Sequence, residues 1–122
     1  MTASNPSFTH IEHQLIHHYR NQLNLADSQQ AVHTLFSRTI IELFLAVFGD
    51  TVPMKAEDIR FTPGTAPGFV VGETLLRNAT FHKTWSASDL HSIVARFAEN
   101  AEHRFKYLQA HHEKTGGNIG RH

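Results

Sequence analysis

An α+β fold is what this sequence predicts: an N-terminal αα-hairpin, a small antiparallel three-stranded meander and a long C-terminal helix, with an all-α arrangement as the alternative. Three observations predict it. Residues 27–50 repeat apolar side chains at helical spacing, and between Ile40 and Phe48 only Glu42 interrupts them, so that part is apolar all round. The stretch that follows is broken by Pro53, Pro63, Gly64, Pro67, Gly68 and Gly72, which rules out a continuous helix. From Leu90 onward a second apolar stripe recurs every three or four residues.

The first helix begins near Pro6 or His10 and runs to Leu23. Asn5 as N-cap with Pro6 at the first helical position competes with a Thr9–Glu12 capping box, and both give the same register. Phe8, Ile11, Leu15, Tyr19 and Leu23 form one stripe with Ile16 at its edge, while His10, His13 and His17 line the opposite side. A short polar connection, residues 21–27, turns the chain back into the central helix and makes the αα-hairpin.

The central helix takes Asp27 as N-cap, with Gln30 placed to close a capping box, and Gly49 as the residue that ends it. Val32, Leu35, Phe36, Ile40, Leu43, Phe44, Val47 and Phe48 mark it as the core helix, around which the other elements wrap. Its polar front end leaves fewer apolar residues than the ~20 a bilayer span needs.

Three extended segments are expected next. Residues 57–62 form a short strand stopped by Pro63-Gly64; residues 69–76, β-branched at Val70, Val71 and Thr74, form a second; residues 79–85 form a third, with Phe81 and Trp85 on one face. A turn falls near Arg77-Asn78. The last helix opens at Ser86 or Ser88, with Asp89 on the positive end of its dipole, and buries Leu90, Ile93, Val94, Phe97, Ala101, Phe105 and Leu108. Glu102 and Lys106 make an outward i,i+4 pair. Residues 1–114 thus read as a single globular domain and 115–122 as a flexible tail.

Composition excludes several function classes. The chain has 122 residues and no cysteine, hence no disulfide framework, thiolate nucleophile or cysteine-based zinc site. Eleven Lys and Arg balance eleven Asp and Glu, so the basic excess of a nucleic-acid binder is missing. The first residues, MTASNPSF, show neither a basic n-region nor an apolar h-region, so the expected location is cytoplasmic, with no membrane anchor. The order α-β-β-β-α resembles that of double-stranded-RNA-binding domains. Their final helix opens with a basic cluster, however, and here it opens Ser86-Ala87-Ser88-Asp89-Leu90-His91-Ser92.

The eleven histidines are the candidates for chemistry. His10, His13 and His17 stand at i, i+3 and i+7, close enough on a helix for two or three imidazoles to share one Zn²⁺ or Ni²⁺ ion. No HExxH, cysteine pair or carboxylate at the proper spacing completes a fuller ligand set, and three exposed histidines on a polar face need no metal. Glu99 and His103 form a second i,i+4 pair, but they point away from the apolar stripe, as a di-iron bundle's ligands must not. His33 and His82 fit core or boundary positions, each hydrogen-bonded to a neighbour. Catalytic groups stay unknown, because spacing alone selects none of the many Ser–His combinations.

Two readings of function follow. The first is a small soluble non-catalytic interaction or regulatory module, working as a homodimer and contacting another protein. Nine phenylalanines in a chain with little sheet to cover them leave apolar surface for a partner. It involves no cofactor, nucleic acid or membrane. The second is a histidine-mediated transition-metal-binding or pH-responsive protein.

Overall fold

The computed structural model describes residues 7–119, with side chains described as far as His111. The element order is α1 (Thr9–Leu25), α2 (Gln29–Phe48), a 3-10 turn (Ala56–Asp58), β1 (Ile59–Phe61), β2 (Phe69–Val71), α3 (Glu73–Arg77), α4 (Ala79–Ala87) and α5 (Leu90–Ile119). The chain is therefore mainly helical, with one two-stranded antiparallel sheet. Of the tail expected over 115–122, residues 115–119 continue α5 and 120–122 lie outside the described residues.

The αα-hairpin is present, and α2 packs on α1, α5 and β1. Phe36, Ile40, Leu43 and Phe44 of α2 have no exposure, and each such side chain contributes roughly 1.5–3 kcal/mol by leaving water. By length and composition α2 is long and apolar enough to cross a membrane, contrary to the expectation from its front end. In this fold it is the core helix, which passes the same test. Its cap also differs: Ser28, not Asp27, takes the N-cap and accepts the Ala31 N–H at 3.0 Å. Gly49 ends the helix at φ +62°, as the sequence indicates, and its N–H donates to the Leu45 carbonyl at 2.8 Å.

The start of α1 follows neither expected cap. Asn5 and Pro6 lie outside the described residues, and Phe8 occupies the N-cap without a side-chain bond of its own. Asp89, just before α5, caps α1 instead. Its Oδ1 accepts the Phe8 N–H at 2.9 Å, and its Oδ2 accepts the Ser7 and Thr9 hydroxyls at 2.7 and 3.2 Å. The acid expected to serve its own helix dipole thus ties two helix starts together.

The three-stranded meander is not formed. β1 and β2 pair antiparallel with Ile59 opposite Val71 and Phe61 opposite Phe69, but the second segment stops at Val71 and the third is helical. Asn78 is the reason, because its side chain accepts the Phe81 N–H at 3.0 Å and starts α4 where a turn between strands was expected. Phe81 and Trp85 lie four residues apart, a spacing that puts them on one face of a strand or of a helix alike. On α4 they stack at 5.2 Å, and Phe81 meets Phe44 and Phe48 of α2 edge-on or tilted at 5.3 and 5.4 Å. With only two strands the order is no longer α-β-β-β-α, and the likeness to RNA-binding domains goes with it.

Between the strands the loop lies against α5. Gly68 sits at φ +97°, and a Cβ there would come within 3.2 Å of the Ala98 Cβ. The Gly64 N–H donates to Glu102 at 3.2 Å, and Glu102 also meets Lys106 at 3.2 Å, the i,i+4 pair expected from the sequence.

Candidate functional site

The seam between α1 and α5 holds the one buried acid among the described residues. Glu12 sits inside the apolar stripe, one residue past Ile11 and four past Phe8, and only 8% of it is exposed. Arg96 meets it with both arms, Nε to Oε2 at 2.7 Å and Nη2 to Oε1 at 2.8 Å. Those hydrogen bonds hold the guanidinium above its ordinary value, against the pull of burial. Beside it the Tyr19 hydroxyl donates to the Phe97 carbonyl at 2.7 Å, and burial pushes that phenol well up. Arg104 closes the far end by donating twice to the Ala26 carbonyl, at 2.7 and 3.2 Å. Among the described residues no buried side-chain nitrogen or oxygen lacks a partner, so this seam is fastening rather than chemistry.

The histidines are dispersed. His10, His13 and His17 all stand exposed on α1, on the side away from the core, as their spacing indicates. Among the described residues no group of three or more His, Asp or Glu side chains comes together as a metal site. Glu99 and His103 are exposed on α5, and His82 is exposed on α4. His111 stacks on Tyr107 at 3.7 Å and bonds the Tyr107 carbonyl at 2.8 Å, while Arg104 covers the same ring at 4.7 Å.

His33 is different. It is half-buried on α2, edge-on to Phe61 of β1 at 5.1 Å and to Phe105 of α5 at 5.5 Å. Burial lowers its pKa, so the ring is neutral near pH 7. Its nitrogens make no hydrogen bond among the described residues, unlike the satisfied boundary histidine the sequence suggests. The ring lines a groove of about 780 Å³ between α2 and the segment from Ala56 to Thr62. Arg38 from α2 and Arg60 and Glu57 from the facing segment line it too. None of these three charges forms an ion pair among the described residues. One wall is fixed by Ser37, whose hydroxyl donates to the Ile59 carbonyl at 2.9 Å and pins β1 to α2.

A second groove, about 610 Å³, runs between the loop at 64–68 and α5. Its Glu102 is already committed to Gly64 and Lys106.

The outer side of α2 carries the last feature. Sequence makes this helix apolar all round over residues 40–48, yet the fold covers only one side. Leu45 stays 49% exposed, Ala46 is exposed and Ile41 is half-covered. Arg38 and Glu42 share that face by helical period, both exposed. Sequence reasoning missed Leu45, Arg38 and Arg60 as site residues. The signal for Leu45 was present, since it lies opposite the deepest stripe of its own helix.

Comparison with protein-family models, curated proteins and solved structures finds no match to the chain.

Proposed function

We propose that the chain is a small, soluble, non-catalytic interaction or regulatory module of the cytoplasm, working as a homodimer in which the outer face of α2 receives a second copy. In this reading its further partner is another protein, and neither nucleic acid nor a membrane is involved. The observation that carries it is Leu45, a large apolar side chain half-exposed at the centre of a face that also bears Arg38, Glu42, Ala46 and Ile41. A twofold axis places the same patch on both partners, so the patch must complement itself. This one does. Run antiparallel, two copies of α2 set Arg38 of each against Glu42 of the other, and the arginine stem lies along Leu45. The face is small, as in the weaker class of specific interfaces. Light scattering of the wild-type chain should give twice the monomer mass at high concentration and a falling mass on dilution. Leu45→Glu should stay monomeric with an unchanged circular dichroism spectrum. A monomer at every concentration would overturn the proposal.

A second reading, Zn²⁺ or Ni²⁺ binding by His10, His13 and His17, is favoured by one observation, the shared exposure of the three imidazoles on one helix face.

A further inference from the structure

In the groove beside His33, the charged groups of the described residues line one cavity without bonding to one another. Arg38 and Arg60 reach it from opposite walls, and neither has an ion-pair or hydrogen-bond partner among the described residues. By contrast Arg77, Arg96 and Arg104 are all committed, to Glu73, Glu12 and the Ala26 carbonyl. His33 presents a neutral ring whose nitrogens are also unused, fixed by the edges of Phe61 and Phe105. Ala56 and Thr34 line the groove beside the polar Gln30, Ser37 and Thr62, and the methylene stems of the two arginines offer further carbon. A volume of about 780 Å³ falls within the usual range for small-molecule sites.

We propose that this groove binds a small aromatic monocarboxylate, its ring against His33 and Phe61 and its carboxylate between the guanidinium groups of Arg38 and Arg60. Guanidinium groups match a carboxylate with paired N–H donors, and the apolar walls reward a planar body over a bare inorganic anion. Glu57 sets the charge. It lines the same groove, so a second negative charge on the ligand meets it and is disfavoured. Arg38 borders both surfaces and in the proposed dimer faces Glu42 of the second copy, so the groove is fully open to a ligand in the monomer.

The test uses 2-naphthoate as probe, followed by the amide shifts of the uniformly labelled chain. Saturable shifts at His33, Thr34, Arg60 and Thr62 are expected, with 2-naphthamide and naphthalene-2,6-dicarboxylate each binding about tenfold more weakly. Arg38→Gln/Arg60→Gln should weaken 2-naphthoate by at least about tenfold while the melting temperature stays unchanged. Leu45→Glu, which stays monomeric and keeps Arg38 free, should bind it at least as tightly as the wild type, which separates the groove from self-association. Equal affinity for acid and amide, or full binding by the double variant, or loss of binding in Leu45→Glu, would overturn the proposal. So would the absence of saturable shifts.

Discussion

Arg96 grips Glu12 with both arms across the seam between α1 and α5, at 2.7 and 2.8 Å, and so neutralises the one carboxylate that the apolar stripe of α1 takes inside. Arg96 itself is about half exposed, its side chain at 49%. The pair is therefore asymmetric: losing the arginine strands a buried acid, whereas losing the acid leaves an arginine free to swing into water. Arg96→Ala should cost about 2 kcal/mol, less than a fully buried pair because water reaches the seam from the arginine's side. Glu12→Gln should cost less, and Glu12→Leu/Arg96→Met should lie close to the wild type. Urea denaturation of the three variants checks the order. A double variant less stable than Arg96→Ala would contradict it.

Gly68 and Gly64 both lie in the left-handed half of φ, at +97° and +82°, but only at Gly68 would an added Cβ meet another element. Gly68→Ala adds a contact of 3.2 Å with Ala98 to the backbone cost, while Gly64→Ala meets nothing within 4 Å. Both should destabilise, Gly64→Ala by about 1 kcal/mol and Gly68→Ala by about 2 kcal/mol. Thermal melts that place the two variants level would remove the close packing of the loop on α5.

Acid should weaken the fold through two groups. Burial pulls the Asp89 carboxyl upward, but hydrogen bonds from Ser7, Phe8 and Thr9 outweigh it and hold the group below the ordinary carboxylate range. His33 is lowered by burial alone. Both folded values lie below the unfolded ones, so each contribution is complete above the unfolded value and is lost as pH falls through the folded one. For His33 the loss begins below about 6.5, the ordinary imidazole value, and for Asp89 only below about 3.9. The melting temperature should therefore fall in two stages on acidification, and His33→Phe should flatten the first stage. A His33→Phe profile that tracks the wild type between about pH 7 and pH 5 would contradict the assignment.

Why the sequence revealed some of this and not the rest can be read from single residues. Phe36, Ile40, Leu43 and Phe44 recur at helical spacing, and α5 repeats Leu90, Ile93, Val94, Phe97 and Ala101, so both core stripes were legible. Phe81 and Trp85 were not, because four-residue spacing serves periods of 2 and 3.6 equally and only the Asn78 cap decides between them. Glu12 looked like a local capping residue, since the arginine that claims it lies 84 positions away. The exposed faces of α1 were legible for the same reason as its core: His10, His13 and His17 fall opposite the buried stripe. What the histidines bind is not written in their spacing.

The metal reading makes its own forecast. If His10, His13 and His17 share an ion, Zn²⁺ or Ni²⁺ affinity should fall as protons compete below about pH 6.5. His13→Ala/His17→Ala should remove most of that affinity and leave the melt unchanged, because both sites are exposed and alanine is the better helix former. His111→Ala/His112→Ala should bind as the wild type does. Titration calorimetry on untagged protein that gives the two double variants equal affinity would leave no defined site on α1.

Self-association through α2 is tested most directly by reversing its charges. Arg38→Glu alone and Glu42→Arg alone each set like charges against each other across the proposed twofold axis, and both should be monomeric by sedimentation equilibrium. Arg38→Glu/Glu42→Arg restores opposite charges and should sediment as the wild-type dimer does. A double variant that stays monomeric while the wild type is dimeric, or two single variants that dimerise undiminished, would place the contact elsewhere on the molecule.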